Sequence, residues 1–363
     1  MRNKRIICTL FYNFVRNHRY FHMKETLSSI AERTGFSTAT ISRVLSGQTE
    51  KYRISARTEE IILKEAERCN YSPDILARNL RTRKTNTIGL ILPSVANPYF
   101  AELASVIIAE AGIRKFTTIV TDTMENEANE QTNITALISR GVDGIIVAPC
   151  GNDSAIYEEI SRKHVPIILV DRYFENSTLP YVTTSNYRGG LEATEFLIRN
   201  GHRDIACIQG LKTSVPNKRR IAGFMDAMQK AGLEDRAVIA GNEFSLQNGY
   251  LETKLLLNSN PRPTAIFALS NTICLGVIKA VREAGMSIPE DISLVAFDNN
   301  IYMDYMTPSI CRVSQSIEDM AKLSVKLLFD CIENKKRIST RLELSPQFIA
   351  RNSVLPVPAI KAK

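Results

Sequence analysis

The sequence predicts a small all-α head containing a helix-turn-helix, followed by an α/β core of two lobes, each built on a doubly wound parallel sheet. Three observations lead to this prediction. Apolar residues recur at helical spacing on either side of a glycine within residues 27–45. From Thr85 the pattern changes to short apolar strands that alternate with helices, and near Tyr187 the same alternation begins again.

The composition is that of a soluble globular protein with room for two or three domains. The chain has 363 residues, of which 44% are hydrophobic and 23% are charged. The formal charge of +8 is concentrated at the front: residues 1–22 carry 5 Lys/Arg and no acid, residues 23–84 carry 12 against 8, and residues 85–363 carry 29 against 30. This distribution favours a polyanion as the partner of the front part only.

The seven cysteines and four histidines do not form a pattern typical of a metal site or a disulfide framework. No cysteines are spaced as C-x-x-C, and their odd number argues against a secreted protein, so we expect a reducing cytoplasm. Residues 1–22 lack a small-residue cleavage site, which argues against export. We expect these residues either to precede the true translation start near Met23 or to form a disordered basic arm.

A helix-turn-helix pattern occupies residues 27–45. The first helix has one apolar face, Gly35 permits a sharp turn, and Ser37 can cap a second helix whose apolar residues face inward. A surface of small residues with one arginine can enter the major groove of DNA, whereas an ordinary helical hairpin with a solvated face is the alternative. The side chains that project outward from the second helix are those of Thr38, Ala39, Ser42 and Arg43.

Two further helices are predicted before the core begins. One covers residues 55–69 and closes the head. In the other, Ser72 is a helix cap, Pro73 suits the first helical position, and Asp74 is favoured by the helix dipole. A helix this short is marginal alone in water, so we expect it to order only against a partner. Its basic residues and Leu80 suit the minor groove, where an apolar wedge unstacks a base step.

Four short segments are the most specific features of the chain. Residues Ile30–Gly47, Asn70–Asp74 and Leu76–Arg81 read IAERTGFSTATISRVLSG, NYSPD and LARNLR. With Thr87–Pro93 (TIGLILP) and a similarity that extends to about Ser353, they resemble the lac repressor/galactose repressor (LacI/GalR) family of transcriptional regulators. The resemblance implies a homodimer on a pseudo-palindromic operator in double-stranded DNA, with a small-molecule effector in a periplasmic-binding-protein-like core. The expected DNA-binding residues are Ser37, Thr38, Ala39, Thr40, Ser42, Arg43, Ser46, Arg53, Asp74, Ala77, Arg78 and Leu80.

The same resemblance implies where the domains begin and end. In the family the chain passes between the two core lobes three times, which places the passages near 183–187, 309–315 and 335–342, where a hinge would lie. The expected division is an extension at 1–22, the head at 23–71, a hinge helix and linker at 72–84, a core at 85–355 and a tail at 356–363. Lobe 1 is expected at about 85–184 and 313–338, and lobe 2 at about 185–312 and 339–355.

Polar and aromatic side chains cluster after the carboxyl ends of the predicted core strands, which is where parallel sheets bind ligands. Carboxylates, an arginine and an amide beside aromatic rings suit vicinal hydroxyl groups, because each can form paired hydrogen bonds while a ring covers the apolar sugar face. The resemblance implies the same region, with Arg220 and Asp298 as its most dependable members. The expected effector-binding residues are Tyr99, Phe100, Asp171, Arg172, Arg220, Asn271 and Asp298.

Individual members of this set also have structural interpretations. Asn271 and Asp298 suit helix caps, Arg220 suits a surface ion pair, and Phe100 suits the core. One position departs from the family: Thr272 follows Asn271 where members commonly have Asn-Asp, so a carboxylate is lost near the mouth of the site.

Two other classes of protein are disfavoured. A solute-binding transport protein would need an export signal and would have no use for residues 26–83. An enzyme is disfavoured because the chain has no G-x-G-x-x-G, G-x-x-x-x-G-K-[ST], H-E-x-x-H or G-x-S-x-G motif. We therefore expect a sugar or sugar derivative as the effector, with a purine or other nucleobase-type corepressor as the alternative, and no cofactor, metal or membrane.

Overall fold

The structure is a computed structural model that describes residues 25–71, 84–334 and 338–357. The chain divides into two compact units, residues 1–84 and residues 85–363. Within the described ranges, no helix is both long enough and apolar enough to cross a membrane.

The first unit contains a three-helix head formed by α1 (Leu27–Thr34), α2 (Thr38–Leu45) and α3 (Ala56–Arg68). Gly35 ends α1 in a left-handed conformation with φ of 73°, and its N–H donates to the Ala31 carbonyl. The Ser37 side chain accepts a hydrogen bond from the Thr40 N–H and so caps α2. The predicted turn and cap are therefore confirmed. The apolar core of the head consists of Ile30, Ile41, Val44, Ile62 and Ala66.

The second unit contains the two lobes of the core. In chain order the first lobe comprises β1 (Thr87–Leu92), α4 (Pro98–Ile113), β2 (Thr117–Asp122), α5 (Glu127–Ser139), β3 (Gly144–Val147), α6 (Ala155–Lys163), β4 (Ile167–Val170) and β5 (Tyr181–Thr184). The second lobe comprises α7 (Asn186–Arg199), β6 (Ile205–Ile208), α8 (Val215–Lys230), β7 (Ala237–Ala240), α9 (Leu246–Leu257), β8 (Ala265–Ala268), α10 (Asn271–Glu283), β9 (Ser293–Phe297), α11 (Tyr302–Tyr305) and β10 (Cys311–Ser314). The chain then continues through α12 (Ile317–Asn334), β11 (Arg341–Leu344) and β12 (Gln347–Ile349).

Each lobe is built on a six-stranded sheet. The first sheet has the order β11-β5-β4-β3-β1-β2, and all neighbouring strands in it are parallel. The second has the order β12-β10-β9-β8-β6-β7 and is parallel except that β12 runs antiparallel to β10. Buried apolar clusters cover both faces of each sheet. The predicted pair of doubly wound parallel sheets is confirmed, apart from this one antiparallel edge strand.

One passage between the lobes lies further along the chain than expected. The first two, at residue 185 and at residues 315–316, lie within or next to the expected ranges. The third passage was expected within 335–342 but lies at 345–346. The chain therefore returns to lobe 2 after residue 344 and not at the expected residue 339. The reason is that β11 extends the first sheet by pairing with β5, and its two leucines pack against the apolar core of lobe 1.

Candidate DNA-recognition surface and effector cleft

The outward face of α2 carries most of the residues expected to contact DNA. Ser37, Thr38, Ala39, Arg43, Ser46 and Arg53 are exposed, whereas Thr40 and Ser42 are half-buried. Some hydroxyl groups are already used locally: Ser37 Oγ lies 2.9 Å from Thr40 Oγ1, and Ser46 Oγ donates to the Ser42 carbonyl at 2.7 Å. Arginine and threonine side chains therefore remain available on this face. The other expected contacts, Asp74, Ala77, Arg78 and Leu80, lie outside the described residues.

The expected effector-binding residues meet between the two lobes of the core. Around one small cavity of about 30 Å³ lie Tyr99, Phe100, Asp171, Arg172, Arg220 and Asp298. Asn271 is fully buried beside this group, and its Nδ2 donates to Asn300 Oδ1 at 2.7 Å and to Asn97 Oδ1 of the other lobe at 3.2 Å. Six of the seven residues therefore share a cavity, while the amide of Asn271 bridges the lobes beside it. Their role in binding an effector stays a prediction.

Asp171 and Asp298 occupy equivalent positions in the two lobes. Each directly follows a strand, in a left-handed backbone conformation with φ of 61° and 78°. Asp171 Oδ1 accepts from the Tyr99 hydroxyl at 2.7 Å, and Asp298 Oδ1 accepts from Gln315 Nε2 at 2.7 Å. Burial raises the pKa of Asp171, and burial together with the Asp171 charge raises the pKa of Tyr99 well above its usual value. Asp171 Oδ2 accepts no hydrogen bond from the described residues, so a ligand can donate to it.

Arg220 is held in place by neutral groups. It is buried, and its Nε donates to Asn186 Oδ1 while its Nη1 donates to the Leu269 carbonyl, both at 2.7 Å. The guanidinium carbon lies 3.7 Å from the centre of the Phe297 ring. Within the described part of the chain no carboxylate forms an ion pair with this arginine. Its orientation is therefore fixed while its charge remains available to the cleft.

Arg172 links the two lobes from the other side of the cavity. Its guanidinium forms two hydrogen bonds of 2.7 Å to the Glu125 carboxylate, and it lies 5.7 Å from the ring centres of both Phe100 and Phe244. Burial opposes the charged form, but the hydrogen bonds and charge of Glu125 prevail and raise the pKa of Arg172. Because Phe100 belongs to lobe 1 and Phe244 to lobe 2, the guanidinium of Arg172 lies between rings of the two lobes.

A larger cavity of about 490 Å³ adjoins the small one and shares Arg172 and Ser214 with it. Its walls are the loops that follow β3 and β4 in lobe 1 and the start of α8 in lobe 2. Ser214 precedes α8, yet its Oγ does not cap the helix and is buried without a hydrogen-bond partner among the described residues. Buried polar groups are normally satisfied, so this hydroxyl has unused hydrogen-bonding capacity where the two cavities meet. The volume suits a small ligand.

A buried carboxylate fixes one wall of this larger cavity. Glu130 Oε2 accepts from the Cys150 N–H at 2.7 Å, and Oε1 accepts from the Gly151 N–H at 3.2 Å and from the Tyr157 hydroxyl. Burial raises the pKa of Glu130, although these hydrogen bonds oppose the shift. The Glu130 carboxylate therefore fixes the backbone of the loop after β3, which forms part of the cavity wall.

Comparisons with known proteins agree with this arrangement. The sequence profile of bacterial regulatory proteins of the lacI family matches residues 26–74, and that of a periplasmic binding protein-like domain matches residues 194–354. The HTH-type transcriptional regulator DegA of Bacillus subtilis (strain 168) is 32% identical over 339 residues, which cover 92% of this chain and 99% of DegA. The chain belongs to the LacI family. The resemblance inferred from the sequence is thereby confirmed, and LacI-family proteins are DNA-binding regulators of transcription.

Two solved structures are similar to this LacI-family chain. The lac repressor dimer bound to operator and the anti-inducer ONPF matches with a TM-score of 0.82 and 24% identity, covering 91% of this chain and 99% of that one. This likeness supports the fold. A LacI-family transcriptional regulator from Enterococcus faecium with bound ribose matches with a TM-score of 0.67 and 31% identity, covering 75% of this chain and 100% of that one.

Thr272, where the sequence analysis noted a departure from the family, has a local structural role. Thr272 Oγ1 lies 3.0 Å from Ser270 Oγ and donates to the Phe244 carbonyl at 3.2 Å. The threonine therefore supports the backbone that carries Phe244, a residue of the cleft wall. A carboxylate at this position would introduce a charge instead of this support.

The sequence analysis missed several residues around the cleft of this LacI-family protein, among them Gln315, Ser214, Phe244 and Glu130. Gln315 follows β10, a strand that was not predicted, so the rule that ligands gather at strand ends could not be applied to it. Ser214 and Phe244 precede α8 and α9, where only a helix-capping signal was available. Glu130 lies inside α5 and carries no sequence signal that separates it from Glu127, the exposed acid of that helix.

Proposed function

We propose that this LacI-family protein is a repressor that binds a pseudo-palindromic operator as a homodimer in the cytoplasm, and that a sugar or sugar derivative between the core lobes sets its affinity for DNA. The observation that carries the proposal is the cleft, where polar and aromatic side chains of both lobes surround a small and an adjoining larger cavity. These side chains are suited to binding a polyhydroxylated ligand rather than to proton transfer. The exposed face of α2 supplies the expected surface for DNA.

The chemistry of the cleft favours hydroxyl groups. Asp171 Oδ2 can accept a hydrogen bond, Arg220 Nη2 makes none within the described residues and can donate one, and Ser214 Oγ can do either. The rings of Phe100 and Phe244 can cover an apolar sugar face. The ribose in the Enterococcus faecium relative supports the same ligand class. A nucleobase would stack on these rings but would leave several of the polar groups unused.

An effector in this position can control DNA binding by changing how the lobes approach each other. The lobes already contact each other through the Arg219–Glu175 ion pair at 2.7 Å and through the hydrogen bond from Asn271 to Asn97. A ligand that contacts both lobes shifts the equilibrium between two lobe arrangements only if it binds one of them more tightly than the other. Since this coupling is reciprocal, operator DNA must change the effector affinity by the same factor.

The test of this proposal has two steps. Genomic fragments retained by the purified full-length protein are sequenced at a fixed salt concentration, and an enriched pseudo-palindrome is expected. Sugars and nucleobases are then added to the complex with that operator, and a change in dissociation constant with sugars alone is expected. A change with nucleobases alone would replace the sugar by the corepressor alternative, and the absence of any enriched sequence would contradict a sequence-specific regulator.

We propose that the homodimer forms through exposed apolar side chains of β7 and α9 in the second lobe. Val238 and Ile239 on the edge strand β7 and Leu251 and Leu255 on α9 are exposed, and Leu255 is 68% exposed. Leu251 and Leu255 lie one helical turn apart and share a face. We expect Leu255→Lys to raise the dimer dissociation constant by about 30-fold or more, as at other interface hot spots. Sedimentation velocity over a dilution series measures this constant.

A matched substitution outside this surface serves as the control. Ile301 is 78% exposed in the same lobe but lies on neither β7 nor α9, so Ile301→Lys should leave the dimer unchanged. If Leu255→Lys and Ile301→Lys both sediment as the unmodified protein does, β7 and α9 are not the dimer surface.

A further inference from the structure

An exposed tyrosine lies against the arginine of the recognition face. The Arg43 guanidinium carbon is 4.0 Å from the centre of the Tyr52 ring, and Tyr52 is 42% exposed. Lys51 Nζ lies 5.8 Å from the same ring. Arg43 is on α2, whereas Tyr52 is in the loop between α2 and α3. The two side chains are therefore brought together by the shape of this loop.

Backbone hydrogen bonds determine where the loop places the Tyr52 ring. The Gln48 N–H donates to the Arg43 carbonyl at 2.9 Å, and the Tyr52 N–H donates to the Gln48 carbonyl at 3.2 Å. The Ile54 N–H donates to the Thr49 carbonyl at 3.0 Å and closes the turn. These bonds connect Tyr52 to the end of α2 in two steps. The ring is thus presented to Arg43 by an ordered turn.

Arg43 differs from Arg33 and Arg68 of the head in the partner that holds it. Arg33 and Arg68 form ion pairs with Glu25 and Glu65 at 2.6 to 2.7 Å. Within the described residues Arg43 forms no ion pair and its guanidinium makes no hydrogen bond. A carboxylate would occupy the N–H edge of a guanidinium, whereas an aromatic ring contacts only its face. Arg43 is therefore held while its donors stay available.

We infer that Tyr52 is a positioning residue that holds Arg43 ready to donate its N–H groups to a base edge in the operator. The inference rests on the proposed function, because it assigns Tyr52 to the reading of DNA by α2. A bidentate contact from arginine to guanine requires the planar fork at a fixed place and angle. A ring that stacks on the guanidinium restricts Arg43 to fewer side-chain rotamers before DNA binds. The ring can remain there in the complex, because it does not occupy the N–H groups that donate to the base. Tyr52 acts through Arg43 and contributes to specificity.

The experiment uses the full-length protein and two duplexes of equal length, an operator selected by the unmodified protein from a random-sequence library and a random-sequence duplex. Tyr52→Leu should weaken operator binding by about 2- to 5-fold, the range of an exposed cation–π contact, and leave random-sequence binding unchanged. Tyr52→Phe should restore operator binding, because it keeps the ring. Tyr305→Leu, which makes the same change at an 82% exposed tyrosine of the core, is the matched control.

A double-mutant cycle separates positioning from other roles. In an Arg43→Ala background, Tyr52→Leu should cause no further loss of operator affinity, because the residue it positions has been removed. Equal losses on operator and random DNA, an additive effect with Arg43→Ala, or failure of Tyr52→Phe to restore binding would each overturn the inference while leaving the proposed function intact. Failure of the unmodified protein to select any sequence would overturn both. Circular dichroism melts confirm that each variant is folded.

Discussion

Replacing Arg220 by methionine should lower the effector affinity by about 30-fold, because losing a hydrogen bond from a buried charged donor costs about 2 kcal/mol. The methionine fills similar space but supplies no donor to a hydroxyl group. It also leaves Asn186 Oδ1 and the Leu269 carbonyl without their donor, so the melting temperature should fall as well. The measurement is a titration of the operator complex with the sugar that has the largest effect in the screen.

Two further variants test whether this loss is specific to the geometry of Arg220. Arg236→Met removes an exposed arginine that pairs with Asp204 in the same lobe, and it should leave the effector response unchanged. Arg220→Lys keeps the charge but cannot donate from Nε and Nη1 at once, so it should behave like Arg220→Met. Effector affinity within 3-fold of the unmodified protein for both Arg220 variants would remove this residue from the binding site.

Apolar periodicity was sufficient to predict the central strands of both sheets but not two strands beside them. β5 contains Thr183 and Thr184, and β10 contains Arg312, and these polar residues interrupt the apolar run that identifies a buried parallel strand. Specific partners satisfy two of these buried side chains: Thr183 Oγ1 donates to the Asp171 carbonyl at 2.6 Å, and Arg312 pairs with Asp304. The Thr184 hydroxyl is buried without a hydrogen-bond partner among the described residues. The partners of Thr183 and Arg312 lie outside the two strands, so the residue pattern of each strand does not predict that its polar side chains are buried.

Residues of the candidate site could be predicted from the sequence where they directly follow a predicted strand. Asp171 and Asp298 directly follow strands with strong apolar runs, and their location in the cleft needed only the general rule for parallel sheets. Gln315 also follows a strand, but that strand, β10, was not predicted because Arg312 interrupts its apolar run. Ser214 enters the cleft because α8 of lobe 2 approaches lobe 1. That approach depends on the packing of whole lobes, which a sequence pattern of a few residues does not contain.

The second large effect is expected where α7 and α8 pack backbone against backbone. A Cβ atom at Gly223 would lie 2.1 Å from the Tyr187 carbonyl oxygen and 2.7 Å from the Leu191 nitrogen. A Cβ atom at Gly190 would lie 2.2 Å from the carbonyl oxygen of Arg220. Neither backbone atom can yield without movement of a helix, so Gly223→Ala should reduce the free energy of unfolding by about 3 kcal/mol, at the upper end of typical overpacking.

The same substitution should also weaken effector binding, because Arg220 lies one turn before Gly223 on α8 and a displacement of this part of the helix would shift its guanidinium relative to the cleft. Urea unfolding followed by circular dichroism measures the first effect, and effector titration measures the second.

Gly112→Ala is the matched control: it lies near the end of α4 with no atom within 4 Å of an added Cβ, and it should be neutral or stabilising by up to about 1 kcal/mol. An unchanged urea midpoint for Gly223→Ala would contradict direct helix contact. Loss of stability with an unchanged effector affinity would instead mean that α8 relaxes around the alanine without moving Arg220, which would separate the packing of the two helices from the geometry of the cleft.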